Sequence, residues 1–127
     1  PSQIVISGLA ETINSAKEAF TEAGAKLYIP LKVSGAFHSR YMEDAKNEFT
    51  TYLNNFTFSA PTIPVIANVT AQPYGSASDV SDLLSKQIIS SVQWVKSIQY
   101  IKSQGIDEFE EIGPGRVLTG LIRKINA

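Results

Sequence analysis

The chain has 127 residues, 43% hydrophobic and 18% charged, with a net charge of −1 and an isoelectric point near 5.8. That is the length and balance of a globular domain able to bury a core, with no electrostatic case for nucleic acid or an anionic membrane. The absence of Cys excludes disulfides and thiolate metal sites, no apolar run approaches the ~18 residues of a membrane helix, and the expected location is the cytoplasm.

The sequence opens on Pro1 and enters the apolar run Ile4-Val5-Ile6 almost at once, so the expectation is a piece of something longer. Residues 3–7 are β-branched and predict a short buried strand. Leu9, Ile13, Ala16, Phe20 and Ala23 then recur at alternating spacings of four and three, one apolar stripe on a helix of about four turns that Gly24 ends. A second strand is expected over 25–33. This β-α-β unit carries few polar residues suited to chemistry and reads as scaffold.

Met42, Ala45, Phe49, Tyr52, Leu53 and Phe56 keep helical spacing, predicting a helix from about Ser39 to Asn55. Pro61 and Pro64 bracket a loop into a short buried strand, Val65–Val69. Gln72 to Ser78 reads as surface loop, and Asp79 or Ser78 as the cap of a helix reaching about Ile89. Another helix is expected over Val92–Ser103, a strand over Ile106–Ile112, a tight turn at Gly113-Pro114-Gly115 and a last helix over Arg116–Ile125. Strands alternating with helices give an α/β fold class with mostly parallel pairing.

His38, the single histidine, lies in Val33-Ser34-Gly35-Ala36-Phe37-His38-Ser39, between a predicted strand and a predicted helix. A helix N-terminus there would disfavour imidazolium and help keep the ring neutral and basic. A base needs its second ring nitrogen held by an acceptor, which fixes the tautomer. Gln87, on the same helical face as Val80, Leu83, Leu84 and Ile88, is placed to supply one through its side chain or its backbone carbonyl; a glutamine bonded to a loop carbonyl is the plainer and favoured account of it. Asn68 ends a predicted strand at the edge where open α/β sheets hold ligands, which makes it a substrate-binding candidate beside the plainer reading of a strand terminator. Gly113-Pro114-Gly115 precedes a helix N-terminus and is a weak anion-site candidate. Glu108, Glu110 and Glu111 read as a solvated edge. These residues contain no G-x-S-x-G elbow, no phosphate- or dinucleotide-binding fingerprint and no metal-ligand cluster. A catalytic histidine here therefore lacks its nucleophile within the chain.

Gly35-Ala36-Phe37-His38-Ser39, then Pro61-Thr62-Ile63-Pro64-Val65 with Asn68-Val69, resemble the malonyl-CoA:acyl carrier protein transacylase family. So do Gln87 ahead of Ser91-Val92-Gln93-Trp94, and Glu111-Ile112-Gly113-Pro114-Gly115 followed by Val117-Leu118-Thr119-Gly120-Leu121. The form Gly-Ala-Phe-His-Ser-Arg-Tyr-Met looks most like the trans-acting acyltransferases of polyketide synthases. The resemblance implies transfer of malonyl from coenzyme A to the phosphopantetheine thiol of an acyl carrier protein through an acyl-serine. In it His38 is the general base, oriented by the Gln87 backbone carbonyl, and Phe37 favours malonyl over branched extender units. Malonyl-CoA is then a substrate, and no cofactor or metal is implied.

The serine elbow, oxyanion donors and carboxylate-binding arginine of the family are expected in a missing N-terminal half of the same domain. The implied fold is the C-terminal part of an α/β-hydrolase-like acyltransferase domain over 33–127, preceded by the second half of a small ferredoxin-like subdomain over 1–32. Residues 1–127 alone are then expected to be inactive, with partly bare inward faces. The competing reading is a non-catalytic acyltransferase-like docking module.

Overall fold

The structure is a computed structural model and describes residues 3–126. The described residues form six α-helices: α1 (Ala10–Ser15), α2 (Lys17–Glu22), α3 (Glu43–Leu53), α4 (Ala77–Lys86), α5 (Trp94–Ser103) and α6 (Val117–Asn126). A 3-10 turn over Arg40–Met42 leads into α3. The single helix expected between Leu9 and Ala23 is instead two, meeting at Ala16. One side-chain hydroxyl explains the break: Tyr28 donates to the Ile13 carbonyl, where the ladder would continue, while the Thr12 carbonyl keeps its bond from the Ala16 N–H at 3.1 Å. Phe20 stacks obliquely on Tyr28, with ring centroids 5.7 Å apart, and ties residues 25–29 back onto α2.

The helix expected from Ser39 starts as the 3-10 turn because the Ser39 hydroxyl accepts from the Tyr41 N–H at 3.3 Å, capping it. Helix α3 then packs against α4, with Leu53 buried. The cap of α4 is Ser76, not Asp79 or Ser78. Its hydroxyl accepts from the Asp79 N–H at 3.3 Å while the Asp79 carboxylate accepts from the Ser76 N–H at 2.8 Å, the reciprocal arrangement that a serine and an acidic residue three apart can make. Gly75 leaves room for it, since a Cβ there would come within 2.9 Å of the Asp79 carboxylate. Helix α5 starts two residues later than its apolar pattern suggests, because the Gln93 N–H turns aside to the Asn68 carbonyl at 2.8 Å.

The four expected strands are corrected. Residues 3–7, 25–33, 65–69 and 106–112 enter no β-ladder among the described residues, which hold one isolated antiparallel bridge, Ile66 to Pro73. A strand is a relation between two chain segments, and β-branched composition marks a segment ready to pair without providing its neighbour. Burial fails with pairing: Ile4 is 84% and Ile112 91% exposed, and Leu27, Ile29, Leu31 and Val33 are also largely bare. In 65–69 only Ala67 is buried, where the chain reverses through a turn that brings Ala71 back beneath it. The buried apolar residues among those described are Leu53, Ala67, Ala71 and Ile98.

The Ser76 cap sets a stability expectation. Ser76→Ala removes one half of the reciprocal pair and lowers unfolding free energy by about 1 kcal/mol, read as a drop in urea midpoint with unchanged slope.

Candidate active site

The site is built on the carboxyl end of α4. Gln87 is the residue that closes this helix, its N–H donating to the Leu83 carbonyl at 3.0 Å. The two carbonyls just past the end of α4 face His38, while those of Ser85 and Lys86 within the helix accept from the Ile88 and Ile89 N–H groups at 3.3 and 3.2 Å. The Ile88 carbonyl accepts from the His38 backbone N–H at 3.1 Å, and the Gln87 carbonyl lies 2.8 Å from His38 Nδ1. To present both donors to neighbouring carbonyls, His38 adopts a left-handed backbone with φ 60°, a region in which histidine is tolerated better than most residues.

A carbonyl only accepts, so Nδ1 carries the hydrogen and Nε2 keeps its lone pair in the neutral ring. The ring is exposed, leaving Nε2 open to an incoming group. His38 directly precedes the Ser39 cap of the 3-10 turn that leads into α3, and its ring also meets the carboxyl end of α4. The cap of the 3-10 turn after His38 is the Ser39 hydroxyl, which also donates to the Ala36 carbonyl at 2.6 Å.

Gln87 uses its two polar ends differently: the backbone carbonyl meets His38, while the side-chain Oε1 accepts from Asn68 Nδ2 at 3.2 Å. His38, Gln87 and Asn68 are thus in one hydrogen-bonded chain. Phe37, next to the histidine, is 46% exposed, and its ring end lies over Gly35. Asn68 also lines a cleft of about 370 Å³ with Trp94, Ile98, Phe109, Glu111 and Thr119. Among the described residues no group of three or more His, Asp or Glu side chains is placed to hold a metal ion, and no helix is long and apolar enough to cross a membrane.

Glu111 is not a solvated edge. It is half-buried, and its carboxylate accepts from the N–H groups of Leu118 and Thr119 at 3.1 and 2.9 Å and from the Thr119 hydroxyl at 2.7 Å. It caps α6 from six residues upstream of Val117, across the Gly113-Pro114-Gly115 turn. Gly113 and Gly115 there take φ 140° and 88°, which glycine reaches without strain. The donors at the start of α6, foremost the Thr119 hydroxyl, hold this carboxyl below its ordinary pKa. These amides are occupied by Glu111, which removes them from the anion site considered at this turn. The sequence signal for the cap was one of three clustered acids before a Gly-Pro-Gly turn and a helix, a spacing no local capping rule covers.

The path of the chain is similar to that of solved malonyl-transacylases. A malonyl-transacylase solved with its holo acyl-carrier protein from a type II polyketide synthase superposes on 93% of it with a TM-score of 0.89 and 36% identity. In sequence the chain is 52% identical, over 98% of its length, to the polyketide biosynthesis malonyl CoA-acyl carrier protein transacylase BaeC of Bacillus velezensis. It is 42% identical, again over 98%, to the malonyl CoA-acyl carrier protein transacylase of Salmonella typhimurium. The resemblance to malonyl CoA-acyl carrier protein transacylases read in the sequence therefore holds across nearly the whole chain. The chain spans 38%, 43% and 40% of these three proteins, about two-fifths of their length. No family model matches it.

Glu111 gives the site's pH expectation. Its native pKa is depressed, so the unfolded chain binds the proton more readily. The cap therefore stabilises fully above the unfolded carboxyl pKa of about 4.3 and is lost as pH falls through the lower native value. Glu111→Gln is expected to lower the thermal midpoint at pH 7 and to flatten its decline below about pH 4 relative to the parent, as read in a series of thermal melts.

Proposed function

We propose that these residues are the base-bearing part of a malonyl-transfer site, moving malonyl from coenzyme A to the phosphopantetheine thiol of an acyl carrier protein. The observation that carries this reading is the contact of His38 Nδ1 with the Gln87 carbonyl, which leaves Nε2 as a proton acceptor. In the first half-reaction a serine Oγ, supplied by residues outside this chain, attacks the thioester carbonyl of malonyl-CoA while Nε2 takes its proton. The tetrahedral adduct expels the coenzyme A thiolate, which leaves with that proton as the thiol. In the second, the carrier thiol attacks the acyl-serine ester, Nε2 takes the thiol proton, and the proton passes to the departing serine oxygen. The Gln87 carbonyl holds the ring through both steps.

Several finer assignments belong to this reading. Phe37, at the lip beside His38, crowds the α-carbon of branched extender units. The acyl carrier protein as acceptor is supported by the solved relative that was captured with one. The higher identity to BaeC than to the Salmonella enzyme supports a polyketide system with a trans-acting enzyme. Residues 1–32 are half of a ferredoxin-like subdomain and 33–127 part of the large α/β domain. The bare apolar segments around Ile4, Leu27 and Ile112 pair with strands from the rest of that domain, in the cytoplasm.

The test uses the protein that carries these residues together with the serine-bearing segment. Intact-mass spectrometry after malonyl-CoA is expected to show one malonyl group per site, located on a serine and removed by holo acyl carrier protein. His38→Ala slows its formation by about 10²- to 10⁴-fold. No adduct, or one formed at the parent rate in His38→Ala, contradicts the reading. Phe37→Ala is expected to raise the preference for methylmalonyl over malonyl by roughly ten- to 200-fold, measured by competition between the two thioesters.

A further inference from the structure

Asn68 stands on a turn whose flanking residues are buried and hydrogen-bonded. Ala67 and Ala71 on either side are 1% and 2% exposed, and their amides donate to the carbonyls of Gln72 and Ala67 at 2.9 Å each. Ala71 closes the turn with φ 58°. The Asn68 carbonyl accepts from Gln93 at the mouth of α5, whose own carbonyl is taken by the Ser97 amide and hydroxyl at 2.9 and 3.0 Å. The backbone of Asn68 is thus fixed from both sides before its side chain makes any contact. That side chain spends its donor on Gln87 Oε1.

Gln87 needs such a hold. It follows the last residue of α4, where the helix no longer continues beyond it, yet its carbonyl must stay on a ring carried by a different segment. The bond to Leu83 fixes the Gln87 amide from within α4. The bond from Asn68 fixes the residue from outside α4. On the malonyl-transfer reading above, we propose that Asn68 is a positioning residue: through the Gln87 side chain it keeps the Gln87 carbonyl aligned and His38 in its Nδ1–H tautomer. It acts through Gln87 without touching the acyl group.

Three properties separate this role from a substrate contact or simple bulk. First, Asn68→Ala and Asn68→Leu lower kcat for malonyl transfer on the order of tenfold with KM changed less than about twofold, short of the ~100-fold that a 1 Å misplacement can produce. The leucine variant keeps side-chain volume in case alanine loosens the turn. Second, Asn68→Ala adds little to Gln87→Ala, because both cut the same link. Third, Asn68→Asp retains most of the rate, since the Gln87 amide turns over and donates to the carboxylate. The readout independent of activity is the His38 ring: long-range proton–nitrogen NMR of histidine-labelled protein shows the Nδ1–H tautomer in the parent and a mixture of both tautomers in Asn68→Ala and Asn68→Leu. An unchanged His38 tautomer in those variants overturns the proposal, as does a raised KM with intact kcat, which would make Asn68 a substrate ligand. A parent protein that transfers no malonyl would overturn the functional reading instead, and the tautomer comparison alone would then decide Asn68.

Discussion

The pairing of His38 with the end of α4 is the constraint around which the rest of the site is arranged. A histidine from another segment supplies the donors to the two carbonyls just past the end of α4, its backbone N–H to Ile88 and its Nδ1 to Gln87. The left-handed backbone this requires is a strained state for a residue with a side chain, costing roughly 1–3 kcal/mol, and two hydrogen bonds of about 1 kcal/mol each offset much of it. Strain of that kind persists only where the surroundings over-determine it. Helix packing of α3 on α4, the reciprocal cap of Ser76 and Asp79, and the turn at Ala67–Ala71 together hold the helix end and its neighbour in place.

One consequence is chemical. A histidine whose Nδ1 is committed to a carbonyl has a single free nitrogen and a fixed direction for it, so proton traffic is confined to Nε2. A carboxylate would hold the ring more strongly, but it would add a full charge beside a site proposed to take an anionic malonyl group. A neutral carbonyl orients the ring without that repulsion.

How much of this was legible in the sequence follows from whether a signal is local. The helices were readable because apolar spacing lies within the element itself; their ends shifted where a local cap took over, as at Ser39 and Ser76, or where a distant group intervened, as Tyr28 does at the Ala16 break and Asn68 at the start of α5. The strands were not, because β-branched runs such as Ile4-Val5-Ile6 identify a surface that pairs and leave its partner unnamed. Gln87 was legible as inward-facing from the pattern of Leu83, Leu84 and Ile88. The division of labour between its carbonyl and its side chain was open until geometry set it. The link from Asn68 to Gln87 spans 19 residues and has no sequence signature. Glu111 looked like one of three surface acids, and only the path of the Gly113–Gly115 turn brings it over the amides of α6.

The central claim is that His38 presents Nε2 to a serine that lies outside these residues while Nδ1 stays on Gln87. A crystal structure of the protein together with its serine-bearing segment tests it most directly. The account predicts a serine Oγ about 2.6–3.2 Å from His38 Nε2, the reach of a general base, with the Gln87 carbonyl still on Nδ1. A structure in which no serine approaches Nε2, or in which the ring has turned so that Nε2 faces Gln87, would contradict it.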